Sequence, residues 1–236
     1  MKKTLAAIIM SLTSLLCFAQ NNDFINEKYE LLNQQEQYEA IINSIKESDE
    51  SSYTASDFFY LGLAYFRLEN DQEAQKYLKI AIQKAPDFSR AYFYLAGSYY
   101  YTNNLSEATK NYLKCIELNK NDFKSYQMLG MIFEKQGNYK TAMEYYSQFY
   151  EIEKSPEAFY SMAYILYKMK EYKKAMPYVE EYLKSNKDSF SMTNLMILIL
   201  YSNGEYESAP KYEEQLRKIW SQSADERIKK QTFFII

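Results

Sequence analysis

The chain has 236 residues, 47% hydrophobic and 25% charged, which is enough apolar material for a sizeable core and too much for wholesale disorder. Five glycines and four prolines argue against a turn-rich β-sandwich or barrel, and the absence of histidine removes Ser-His-Asp, Cys-His and His-liganded metal sites together. The net charge of −3 offers no general basic footprint for nucleic acid, whereas 17% aromatics with 26 tyrosines form an excess that needs a structural explanation.

In chain order, the first element is an address. Lys2 and Lys3 precede an apolar run over residues 5–16, and Cys17-Phe18-Ala19 then gives way to polar Gln20-Asn21-Asn22-Asp23. A positive start, a short apolar core and small residues before the polar boundary predict a secretory signal over 1–19, cleaved after Ala19. The run is too short for a membrane-spanning helix, which needs about 20 apolar residues. Cys17 offers lipoprotein anchoring as an alternative, although bulky Leu15 and Leu16 stand where a lipobox has small residues. The expected location is therefore the periplasm of a bacterium, with lipoprotein anchoring or secretion as the alternatives. Cleavage removes Lys2 and Lys3, moving the net charge from −3 to −5, and leaves Cys115 without a disulfide partner.

Beyond residue 22 the chain repeats itself. Ala74, Ala108, Ala142, Ala175 and Ala209 follow one another at intervals of 34, 34, 33 and 34 residues. Twelve positions before each stand Gly62, Ala96, Gly130, Ala163 and Ile197, and three beyond those stand Tyr65, Tyr99, Phe133, Leu166 and Leu200. Within a copy, apolar residues recur at steps of three and four, as in Phe58, Leu61, Tyr65 and again in Ala74, Tyr77, Leu78, Ala81. Each copy predicts two amphipathic helices. The turns between them carry Asn103-Asn104, Gly137-Asn138 and Asn203-Gly204, which accept positive φ. Pro86 and Pro156 separate copies.

The pattern resembles the tetratricopeptide repeat, whose signature is an aromatic residue, Leu-Gly, Tyr, Ala and a closing Pro over 34 residues. Residues 55–88 carry it best, with Phe58, Leu61, Gly62, Tyr65, Ala74, Leu78, Ala81 and Pro86 in the family's places. Further copies span 89–122, 123–155, 156–189 and 190–223. A degraded copy at 22–54 keeps helical spacing through Ile25, Tyr29, Leu32, Tyr38, Ile41 and Ile45. The expected fold is all-α, a right-handed α-solenoid of about six helix-turn-helix repeats. Ser223-Ala224-Asp225-Glu226 has capping-box spacing and predicts a capping helix over 224–236, ending in the apolar tail Phe233-Phe234-Ile235-Ile236. That tail folds back on the last repeat or inserts into a partner or a second copy of the chain.

Local rules add detail. Gly62 and Gly130 inside helices each cost roughly 1 kcal/mol relative to alanine, which close approach of a neighbouring helix compensates. Pro177 and Pro210 belong in the first turns of their helices or kink them. Cys115 falls at a core position, as a small buried hydrophobe rather than a reactive thiol.

The resemblance implies a concave face lined by first helices, where members of the family bind peptides or a partner's helix. Carried over copy by copy, the groove positions are Phe59, Phe93, Gln127, Tyr160 and Asn194, then Leu63, Gly97, Met131, Tyr164 and Leu198. Nearer the helix ends come Phe66, Tyr100, Glu134, Tyr167 and Tyr201, followed by Arg67, Tyr101, Lys135, Lys168 and Ser202. Ser56, Arg90, Lys124, Glu157 and Ser191 lie at the helix starts. Phe59, Phe93 and Tyr160 stand where a carboxylate-clamping member carries lysine, so that mode is not expected. The lining is aromatic and locally basic, which predicts a protein segment with apolar or aromatic anchors and some acidic residues. Tyrosines at this spacing serve packing as readily as binding.

No CxxC pair, phosphate loop, Gly-x-Ser-x-Gly elbow or Ca²⁺ loop occurs, so neither catalysis nor a cofactor nor a metal is expected. The expected function is a non-catalytic scaffold or adaptor of the bacterial cell envelope. The alternative is a receptor for a small ligand or glycan that stacks on the aromatic groove.

Overall fold

The structure is a computed structural model that describes residues 25–223. The signal at 1–19 and the capping helix with its apolar tail at 224–236 lie outside the described residues. Helices account for every regular element among those described. In chain order they are α1 (Glu27–Gln34), α2 (Tyr38–Lys46), α3 (Ala55–Arg67), α4 (Asp71–Lys84), α5 (Ser89–Tyr101) and α6 (Leu105–Leu118). They continue with α7 (Phe123–Lys135), α8 (Tyr139–Ile152), α9 (Pro156–Lys168), α10 (Tyr172–Ser185), α11 (Phe190–Asn203) and α12 (Ala209–Gln222). Within each unit, helices pack against their neighbours in the chain, the order expected of stacked helix hairpins. The chain is thus an all-α repeat solenoid, divided between Ser125 and Tyr126 into two compact units.

The hairpin turns follow one rule. A residue in the left-handed region follows the first helix, and in every described hairpin but the last the next residue stands at the N-cap of the second. Asn103 (φ 60°), Gly137 (φ 74°) and Gly204 (φ 78°) take that conformation as their types predict, and Glu36, Glu69 and Lys170 take it as well. Of each dipeptide Asn103-Asn104 and Gly137-Asn138, only the first residue has positive φ. The second is an N-cap: Asn104 and Asn138, like Asn70, accept a hydrogen bond from the backbone N–H three residues on, at 3.3–3.4 Å. First helices use other caps. Thr54 and Asp57 form a capping box on α3, and Ser155 caps α9 with Pro156 at its first position.

The repeat alanines carry no exposed surface, so each marks a core position of its hairpin. Gly62 and Gly130 serve close approach of the two helices. A Cβ on Gly62 falls 2.6 Å from Leu78 Cγ, and one on Gly130 collides with the Tyr146 ring edge, next to Cε1 and Cδ1. Cys115 is fully buried, with its thiol pushed up to about 12 by burial. A protonated, buried thiol is a packing group.

Proline shapes the later hairpins. Pro177 sits in the second turn of α10, which runs on through it. Pro210 lies in the first turn of α12. There the helix starts at Ala209 itself, behind a 3-10 turn over Tyr206–Ser208, whereas Ala74, Ala108, Ala142 and Ala175 lie a full turn inside their helices. At this position Pro210 leaves no intrahelical hydrogen bond unmade, because the first N–H groups of a helix have no partner within it.

Candidate functional site

In the first unit, the positions carried over to a groove are largely filled from within the chain. Phe59 and Leu63 have no exposed surface. The Phe59 ring lies 4.6 Å from Phe88 and 5.0 Å from Tyr60, with the Arg90 guanidinium 5.0 Å above it. Arg90 is paired at 3.0 Å with Glu30, which reaches across from α1 and also accepts the Tyr60 hydroxyl at 2.8 Å. This strap joins the first hairpin to the third and closes over the second. Phe59 and Leu63 are therefore core residues rather than an open wall, and Arg90 spends its charge on Glu30. Burial pushes the Tyr60 phenol up to about 12, with the Glu30 hydrogen bond as the next cause, while Tyr60 and Arg90 hold the Glu30 carboxyl below its usual range.

The rest of that surface is half-open. Phe66 and Phe93 are half-buried against Tyr94, and Tyr100 lies edge-on to Tyr101. Tyr101 is 71% exposed, and Arg67 leans on the Tyr94 ring. Phe66, Arg67 and Tyr101 do share a shallow recess with Glu69 and Asp71. Lys124 projects from the start of α7 and is exposed.

The second unit holds a more developed site. Gln127, Met131 and Glu134 from α7 meet Glu157, Tyr160 and Tyr164 from α9 around a cavity of about 500 Å³. All six are positions expected to face a groove. One helical turn separates the members of each set, so each helix offers one face to the same space. Tyr160 and Met131 remain 39% and 38% exposed at the mouth. The Tyr160 and Tyr164 rings stack at 5.8 Å with 7° between their planes, and the Lys168 ammonium lies 5.1 Å above Tyr164 at the rim. Burial, Tyr164 and Glu134 together raise the Tyr160 phenol above its ordinary value.

Three residues complete the lining that the repeat register did not single out. Tyr146 and Tyr182 come from second helices, and Ser161 lies behind Tyr160. The Tyr146 hydroxyl donates to Glu134 Oε2 at 2.8 Å and so holds that carboxylate in place. The charged groups on the wall of this cavity are Glu134 and Glu157, while Lys124, Lys135 and Lys168 are not among its lining residues. Tyr167 turns aside to pack on Tyr172, and Asn194 and Tyr201 are exposed on α11, where the Tyr201 hydroxyl donates to Glu213.

Stacked helix hairpins with a 34-residue alanine and glycine register define a tetratricopeptide-type solenoid. Residues 19–194 match the family described as the tetratricopeptide repeat protein 21 C-terminal ARM domain, and the chain belongs to that family. No curated protein matches the chain. Among solved structures, it is similar to the C-terminal part of a TPR repeat-containing protein from Cytophaga hutchinsonii (TM-score 0.73, 18% identity, covering 82% of this chain and 78% of that one). It is also similar to MamA from Desulfovibrio magneticus RS-1 (TM-score 0.67, 12% identity, 72% and 97%) and to PilF from Pseudomonas aeruginosa (TM-score 0.60, 21% identity, 74% and 79%). At these identities the likeness concerns the fold. Among the described residues no helix is long and apolar enough to cross a membrane.

Proposed function

We propose that the chain is a non-catalytic scaffold of the bacterial cell envelope that holds an extended segment of a partner protein on its first-helix faces. The cavity between α7 and α9 is the anchoring site. The observation that carries this is the aromatic wall of Tyr160 and Tyr164 facing Met131 across about 500 Å³, with Tyr160 and Met131 still partly exposed. Tyrosine is a residue type enriched where binding energy concentrates, and an apolar wall with few polar groups suits a side-chain anchor. Export rests on the signal pattern over 1–19.

Photo-crosslinking in the native cells tests the assignment. A photoreactive residue at Tyr160 is expected to trap a partner protein, and the same residue at Lys110, on a second helix of the first unit, is expected not to trap it. Loss of the crosslink on Tyr164→Ala, in a chain that keeps its helical circular dichroism, is the supporting result. Equal trapping at both positions refutes the site. A crosslink to glycan and none to protein moves the assignment to the glycan-binding alternative.

A further inference from the structure

The cavity of the second unit carries two carboxylates, Glu134 and Glu157, and no lysine or arginine among its lining residues. We propose that it receives a cationic side chain, an arginine or lysine of the partner segment, held between the tyrosine faces and the two carboxylates. This rests on the docking role proposed above and adds the chemistry of the guest.

Three features converge. Glu134 and Glu157 stand on opposing helices, α7 and α9, so a guest between them meets negative charge from two sides. The Tyr146 hydroxyl engages one oxygen of Glu134 and orients the group, which leaves acceptor capacity on a carboxylate that feels Lys168 but is in ion-pair contact with no cation among the described residues. The aromatic wall adds the second attraction, because the negative face of a tyrosine ring draws a guanidinium or ammonium within about 6 Å of its centre. Lys168 already displays this affinity inside the chain, with its ammonium 5.1 Å from the Tyr164 ring at the rim. Its single charge opposes a second cation less than the two carboxylates attract one, and its flexible stem lets it swing out into solvent. An acidic segment, by contrast, brings like charge against Glu134 and Glu157 in a partly desolvated site. Met131 and the tyrosine edges accommodate the aliphatic stem that precedes either basic head group.

The test uses the full chain and three small probes: N-acetyl-arginine amide, N-acetyl-norleucine amide and N-acetyl-glutamate amide. Tyr ring resonances are followed by NMR. The arginine probe is expected to shift the Tyr160 and Tyr164 rings saturably, and the neutral and acidic probes are expected to do so at least several-fold more weakly. Glu157→Gln and Glu134→Gln keep shape and remove charge, and each is expected to weaken the arginine titration about threefold, a size typical of partly exposed charge contacts. Glu157 is exposed and its replacement leaves the packing untouched, so it serves if Glu134→Gln disturbs the fold. Equal response to norleucine amide, a stronger response to glutamate amide, no saturable shift, or indifference to both substitutions overturns the proposal. The Tyr160 crosslink separates the two ideas. If it persists in the Glu134→Gln, Glu157→Gln chain while the arginine probe fails, the cationic guest is wrong and the docking site stands; if the wild type gives no crosslink, the docking site itself is wrong.

Discussion

Adding one methyl group at Gly62 sets two effects of known size against each other. Helix propensity alone favours alanine over glycine by about 1 kcal/mol in a helix interior. The new Cβ, however, falls 2.6 Å from Leu78 Cγ, 3.0 Å from its Cδ2 and 3.0 Å from its backbone N. The leucine side chain has no exposed surface into which to retreat, and the nitrogen belongs to the α4 helix. Overpacking of this kind costs about 1–3 kcal/mol. The packing term is the larger, and Gly62→Ala is expected to destabilise the second hairpin by up to about 2 kcal/mol, an increase of up to about 30-fold in its open population. Repeat arrays open piecewise, so native-state amide exchange within α3 and α4 is the suitable assay. Gly97→Ala is the control. Its Cβ meets the Phe66 ring tip at 3.3 Å and no backbone, and that ring is half-buried with room to yield. Exchange in α5 is expected to slow or stay unchanged. If Gly62→Ala protects α3 as well as Gly97→Ala protects α5, close helix approach is not the reason for the glycine.

Lys170 holds φ 62° in the turn before α10, a conformation that costs a side-chain-bearing residue about 1–2 kcal/mol. Lys170→Gly is expected to raise the thermal midpoint by about 1–4 °C by scanning calorimetry, after allowance for the greater freedom of unfolded glycine. The Tyr60 phenol is held near 12 in the folded chain against 10 when unfolded. Its stabilising share is therefore complete below about pH 10 and lost as pH rises towards 12, and Tyr60→Phe is expected to flatten urea midpoints across that window. Glu30 behaves oppositely, since its lowered carboxyl contributes above the ordinary carboxylate range and the contribution disappears as pH falls. Cys115 is expected to resist iodoacetamide at pH 8 in the folded chain and to react in urea, read by mass spectrometry. Rapid alkylation without urea would contradict its burial.

The helix hairpins were legible because their causes are local and repeated. Apolar residues at three- and four-residue steps, Asn caps and a 34-residue alanine register each constrain the chain over one or two turns, and stacking then follows from the need to bury the apolar stripes. Glu69 and Lys170 escaped notice as left-handed residues because neither type favours that conformation. The hairpin geometry imposes it, and only the register shared with Asn103 and Gly137 gave a sign of it. Spacing made some neighbouring positions legible but not their exposure. The spacing did bring Gln127, Met131, Tyr160 and Tyr164 to one cavity.

What the sequence determined by itself is the repeat, the pairing of helices within it and the face each helix turns towards its neighbours, since these depend on periodicity along one chain segment. What the tertiary structure alone decided is which groove positions remain open and what charge they present. Glu30 stands at the register of Leu63 in the degraded first copy, yet nothing near it in the chain indicates Arg90 and Tyr60, whose contacts close the strap over Phe59. In the same way Tyr146 and Tyr182 enter the second unit's cavity from neighbouring helices, and the lysines that made the groove look basic fall outside its wall. Burial and charge at a site are sums over residues brought together from distant parts of the chain, and that sum exists only once the helices are stacked.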